Sequence, residues 1–330
     1  MGEKVFSWIF DRHGRSLHKA KTALAAGNAV RAVSLFRKSA EAGNVEAQLR
    51  LADLYETATG VPQDFIEATR WLRAAAEKGS AAAQSRLGET YLCGREPPSS
   101  ITSSAAANID DGEADTVLRR LFPEGVTVRP DFVEAAKWNA LAAERGEALA
   151  QVRIAYQHAT GRGVPTDLAE AYEWFAAAAD QLSDLGQLGL GILSARGYNG
   201  APDYAKAATW FKRAAEQGNA AAKCCLAILH LDGLGVPPND ALAATLLAEA
   251  ADEDHREAMF MLGELYRVGR GVDADAATAE MWFRRSATHG HVRSLVALGR
   301  MLSDGPRPDY NSAAVLFRRA ASLVWTRRSQ

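Results

Sequence analysis

Tryptophan and glycine recur in this chain with one shared period. Tryptophans stand at 71, 138, 174, 210 and 282. The last three intervals are 36, 36 and twice 36, and the first exceeds one period by 31 residues. Glycines at 43, 79, 146, 218 and 290 are spaced by 36, 67, 72 and 72. Two residue types therefore share one period and one interruption. A period of this size marks a repeat architecture, in which each unit buries its apolar face only by stacking on its neighbours. Length alone, 330 residues, suggests about two domains. The period overrides that, because stacked repeats share a continuous core.

Each period reads as two helices. The first is seen in Ala47 to Tyr55, with later copies at 83–91, 150–158, 186–194, 222–230, 258–266 and 294–302. Apolar or small residues recur there at i, i+4 and i+7, the spacing of an amphipathic helix. A glycine-rich turn follows, as in Gly60-Val61-Pro62, Gly161-Arg162-Gly163-Val164-Pro165, Gly233-Leu234-Gly235-Val236-Pro237 and Gly269-Arg270-Gly271-Val272. Glycine ends a helix by taking positive φ, and proline blocks its continuation. Asp64, Asp131, Asp167, Asp203 and Asp240 then sit where the second helix starts, as N-terminal caps do. That helix is seen in Ala68 to Gly79 and carries the tryptophan, expected to fill the hole between neighbouring pairs.

These residues resemble the Sel1-like repeat family, a branch of the tetratricopeptide-like repeats. Its Ala-x-x-x-Leu-Gly-x-x-Tyr pattern is matched by Leu87-Gly88 with Tyr91 and by Leu262-Gly263 with Tyr266. The resemblance covers Ala47 to Ala321 and implies an all-α fold, an α/α solenoid in a right-handed superhelix of about eight helix pairs. The expected organisation is an N-terminal segment over 1–15, a tetratricopeptide-like first pair over 16–43, and repeats over 44–322. A loop is inserted at 96–130, and a basic tail occupies 323–330. Copies depart from the pattern at Leu246 and Leu316, which replace tryptophan, and at Asp254, which replaces the closing glycine.

The excluded classes follow from composition. There are 38 basic and 40 acidic residues, so no charge excess points to nucleic acid. No apolar run reaches the roughly 18 residues of a membrane span. Three cysteines make no disulfide framework, and the cysteines that tie each repeat in some secreted relatives are absent. Val5 to Phe10 is too short for a secretory leader, and reads as a flap over the first pair or a docking segment. The chain is thus expected in a reducing, cytoplasmic compartment, and its alanine-rich composition fits a bacterial source.

The insertion opens on Pro97-Pro98-Ser99-Ser100 and has loop composition, with two helical turns conceivable over Asp115 to Phe122. It reads as a partner clamp or as a tolerated excursion. No nucleophile elbow, phosphate loop or zinc motif is present. Gly186-x-x-Gly189-x-Gly191 lies inside a helix pattern without a preceding strand. His158 and His230 occupy the tyrosine position and are expected to pack and hydrogen-bond. His289 and His291 lack a third ligand at metal spacing. Cys224 and Cys225 are adjacent on one helix and point apart. No catalytic residue, cofactor or metal is expected.

The family resemblance implies that the first helix of each pair lines the concave face. Aligned copies put Arg50, Arg86 and Arg153 in one column, continuing as Gly189, Cys225, Met261 and Ala297. A second column runs Asp53, Glu89, Tyr156, Ile192, Ile228, Glu264 and Arg300, and Phe260 stands beside Met261. These columns read either as a groove for a segment with acidic and apolar parts, or as a solvated face whose arginines pair with Asp53 and Glu89. Gln48, Gln84, Gln151 and Gln187 form a ladder expected to bridge helices. The resemblance implies a non-catalytic scaffold or adaptor binding an extended or helical segment of another protein, with a homo-oligomer possible. The alternatives are an accessory subunit of a cell-envelope or polysaccharide-synthesis machine, or a carbohydrate or peptidoglycan binder.

Overall fold

A computed structural model describes residues 16–94, 128–304 and 308–328, with side chains as far as residue 324. The Val5–Phe10 flap, the insertion over 96–127, the turn at Gly305-Pro306-Arg307 and the side chains of Arg327 and Arg328 lie outside it. Sixteen helices make up the described chain. In order they are α1 over 16–25, α2 Ala29–Glu41, α3 Val45–Glu56, α4 Phe65–Glu77, α5 Ala81–Cys93, α6 Phe132–Ala143, α7 Ala148–Thr160 and α8 Leu168–Asp180. Then come α9 Asp184–Arg196, α10 Tyr204–Glu216, α11 Ala220–Asp232, α12 Asp240–Asp252, α13 Arg256–Val268, α14 Ala276–Thr288, α15 Val292–Asp304 and α16 Tyr310–Arg328. They form the eight pairs that the period predicts, in an all-α repeat solenoid. The chain divides into two compact units, one ending at Ala177 and one beginning at Ala178.

The caps explain the boundaries. Asp64 accepts from the backbone N–H groups of Ile66 and Glu67, and Asp131 from those of Val133 and Glu134. Asp167 and Asp203 cap α8 and α10 in the same way. Asp240 does not: it is the first residue of α12, and the cap is Asn239, whose Oδ1 accepts from Leu242 N–H at 3.0 Å. Asp240 instead receives Arg270. Gly161, Gly233 and Gly269 end first helices in the left-handed region, where a Cβ is disfavoured. α16 runs to Arg328 and so continues helical into the stretch expected as a basic tail.

Three pairs of the second unit set a glycine opposite a phenylalanine. Gly263 faces Phe283, and a Cβ there would come within 2.7 Å of the ring. Gly191 faces Phe211 in the same way. Tryptophans pack on the preceding second helix: Trp138 joins Trp71, Leu72 and Leu87 in one cluster of the first unit. Trp282 packs against the cluster that holds Ala243, Ala244 and Leu247 in the second. The glutamine ladder also belongs to the scaffold. Gln48, Gln84 and Gln151 donate to the carbonyls of Ala40, Ala76 and Ala143, at the end of the preceding second helix. They satisfy acceptors that a helix end leaves without an intrahelical partner.

Candidate functional site: the first-helix face

In the first unit, α3, α5 and α7 present the arginine column. Each arginine is engaged by acids. Arg86 meets Asp53 at 2.6 Å and Glu56 at 3.0 Å, both on α3. Arg153 meets Glu89 of α5 at 2.7 Å and donates to the Ser85 carbonyl and hydroxyl. Arg50, the first of the column, has only Asp53 of its own helix at 3.7 Å. From Arg86 onward the column is thus a ladder of ion pairs, running from α5 to α3 and from α7 to α5. Its arginines are committed within the protein, as in the solvated-face reading. Tyr156 follows on α7, is 43% exposed, and lies beside Arg162.

In the second unit the same columns turn apolar. Ile228, Leu231, Met261, Leu265 and Val268 line a depression of about 260 Å³ between α11 and α13. Glu264 and Arg270 stand at its edge. A larger trough of about 810 Å³ lies between α13 and α15, with Val292, Val296, Ala297 and Met301 on its walls. Its charged lining is Glu264, Arg267, Arg293, Arg300 and Asp304. Arg267 is held by Glu264 at 2.7 Å, and Arg293 by Glu257 at 3.0 Å. Arg300 pairs with no carboxylate among the described residues. Met261 is half-buried and touches both Cys224 and the α15 cluster. Phe260 is not an open platform: it is 6% exposed, packs on Phe283, and has the Arg293 guanidinium 4.3 Å above its ring.

The titratable groups of this unit serve the scaffold. His291 is buried, bonds Glu257 at 2.8 Å through Nε2, and meets the Ser294 hydroxyl at 2.9 Å through Nδ1. The order Ser–His–Glu resembles a nucleophilic relay. Ser294 is wholly buried, however, and its hydroxyl donates to Ser286, so no substrate reaches it. Periodicity gives no signal for this cluster, since its members come from three helices of two pairs. Burial pushes the Cys224 thiol up to about 12 and the Cys225 thiol up to about 11, so neither is a thiolate near neutral pH. His230 bonds the Pro237 carbonyl at 3.1 Å. Among the described residues, no group of three His, Cys, Asp or Glu side chains is placed to hold a metal. No described helix is long and apolar enough to cross a membrane.

The family model of the Sel1 repeat matches nine segments, at 25–44, 45–80, 81–102, 123–147, 148–181, 185–219, 220–255, 256–291 and 292–323. The chain belongs to the Sel1 repeat family. The segments 81–102 and 123–147 flank the inserted stretch, and the first match already includes α2. Sel1 repeat proteins are generally scaffolds for protein interaction. Among solved structures, a protective antigen of uropathogenic Escherichia coli with an SLR fold is similar at 29% identity and a TM-score of 0.65. The match covers 88% of this Sel1 repeat chain and 56% of the antigen, so the chain spans little more than half that protein. A Sel1 repeat protein from Oxalobacter formigenes shares 24% identity with a TM-score of 0.52, over 93% of this chain and 99% of that one. No curated protein matches significantly.

Proposed function

We propose that this Sel1 repeat chain is a non-catalytic adaptor in the cytoplasm. It docks an extended or helical segment of another protein in the trough between α13 and α15. The observation that carries the reading is Arg300. It stands at the rim of an apolar trough as a cation with no carboxylate partner among the described residues, whereas Arg86 and Arg153 on the first-helix face of the first unit are paired. A segment with aliphatic side chains and one acidic residue would fill the walls and complete that charge. The three cysteines are unpaired, which supports a reducing compartment.

The test is affinity capture with variants placed by this geometry. Arg300→Glu and Val296→Asp should each remove one stoichiometric protein partner. Arg300→Glu should leave the melting temperature within about 2 °C, whereas Val296→Asp should also lower it because Val296 packs on the α15 cluster. Arg50→Glu should leave capture intact. Capture that survives both trough variants, or that is lost in Arg50→Glu alone, would move the docking face to the first unit. Arg86 is unsuited as a probe, because its reversal would set three carboxylates together and destabilise α3 and α5.

A further inference from the structure

A groove of about 770 Å³ lies on the second-helix side of the second unit, between α10 and α12. It has a sequence cause. Position 246 falls one period after Trp210 and one period before Trp282, and it holds leucine. Elsewhere in the chain the tryptophan of this column wedges against the preceding second helix, as Trp138 and Trp282 do. Leu246 packs on the buried cluster that holds Ala208, Phe211 and Leu226, with a side chain smaller than the indole it replaces. The walls of the groove are correspondingly small and apolar: Ala205, Ala208 and Ala215 of α10, Leu226 of α11, and Leu242 and Leu246 of α12. Leu242 is itself an exposed leucine, consistent with a missing neighbour.

A second feature is independent of the leucine. Arg73 stands two residues after Trp71, and its guanidinium lies 5.8 Å from the ring of Trp138 in the next pair. Lys212 stands two residues after Trp210 and lines the groove where the ring of the next pair is lacking. Lys212 thus holds the position from which Arg73 reaches the next pair's indole, although Ala140 and Ala176 stand there after Trp138 and Trp174. Its own acid, Glu216, is only within 4.0 Å on an exposed face. Lys223 is occupied differently, bridging Glu249 at 3.2 Å and Glu253 at 2.8 Å, which pins α11 to α12 at the rim. Glu216 and Glu249 line the groove as acceptors. The site offers an apolar slot, a cation for a ring face and carboxylates for a ring N–H, the surroundings that an indole finds at Trp138.

We infer that this groove receives an aromatic side chain, a tryptophan above all, presented by a segment of a partner protein. The occupant takes the place of the indole that position 246 lacks. The site is separate from the trough of α13 and α15, so an adaptor using both would grip its partner on two faces, or two partners at once.

The probe is N-acetyl-L-tryptophanamide, an indole on a peptide-like backbone, followed by methyl NMR of the intact chain. Leu226, Leu242 and Leu246 methyls should shift and saturate with a dissociation constant of about 1 mM. Leu246→Trp fills the slot from within. It should weaken the probe at least tenfold and raise the melting temperature. Thr209→Phe covers the slot from an exposed position on α10 and should weaken the probe equally, which keeps the test open if Leu246→Trp folds poorly. N-acetyl-L-leucinamide should bind at least tenfold more weakly than the tryptophan probe. Free indole binding more tightly than the amide would overturn a peptide-borne occupant and point to a small aromatic ligand. Absence of saturable shifts in the native chain, or equal binding by the Thr209→Phe variant, would overturn the site altogether.

Discussion

Arg153 of α7 holds Glu89 of α5 at 2.7 Å, although 64 residues and the whole insertion separate them in sequence. The long segment between α5 and α6 leaves the repeat in register, since the ion pair is the counterpart of Arg86 with Asp53. Arg153 is the more enclosed partner, with 18% of its side chain exposed. It also donates to Ser85, so its charge is shared by three acceptors. Pairs of this intermediate exposure lie between the surface and buried limits. A double-mutant cycle of Arg153→Ala and Glu89→Ala should give a coupling of roughly 1 kcal/mol in denaturant unfolding. A coupling indistinguishable from zero would mean that the ladder is decoration.

Alanine in place of glycine inside a helix normally stabilises by about 1 kcal/mol. At Gly263 the sign should reverse. The added Cβ would lie 2.7 Å from Phe283, which is fully buried and has no room to withdraw. Overpacking of this kind destabilises by about 1–3 kcal/mol. Gly263→Ala should therefore lower the melting temperature, and adding Phe283→Leu should restore part of the loss. A more stable Gly263→Ala variant would show that the pair is looser than its geometry implies.

The architecture was legible because its signals are local and repeated. Asp64, Gly161 and Gln48 do in the structure what their positions in the period predict. The face was only half legible. Columns located Arg50, Arg86 and Arg153, but whether an arginine is free depends on reach to an acid 30 or more residues away. Phe260 shows the same limit. A helical wheel puts it beside Met261, while its burial comes from Arg293, His291 and Phe283 of later helices. Asn239 and Asp240 could not be separated by pattern, because either residue makes a good cap. The groove at Leu246 was present in the sequence as a departure, and only the packing showed that nothing else among the described residues fills it.

Glu257 receives His291 and Arg293 together, and the bond from His291 is the largest cause holding its carboxyl below the ordinary value of 4.5. A depressed carboxyl favours the folded state above its ordinary value, and that contribution is lost as pH falls through the depressed value. Glu257→Gln should therefore lower the melting temperature at pH 7 by about 2–4 °C. The gap to the native chain should close as pH is taken below 4.5. A gap constant with pH would show that the contact acts through packing alone.

His255 supplies the opposite case. It caps α13, and its Nδ1 accepts from the Ala258 N–H at 3.2 Å, a role open only to the neutral ring. Burial is the leading cause that holds its pKa below the ordinary 6.5. The unfolded chain then takes up the proton first, so stability falls as pH drops from 6.5 toward the depressed value. Asn44 and Asn219 cap the equivalent helices α3 and α11 without titrating. His255→Asn should keep the cap and remove this part of the acid sensitivity. His255→Ala should lose about 1 kcal/mol near neutral pH, together with the pH dependence. Melting curves from pH 7.5 to 5 separate the two variants, and an unchanged slope in His255→Asn would assign the acid sensitivity to another group.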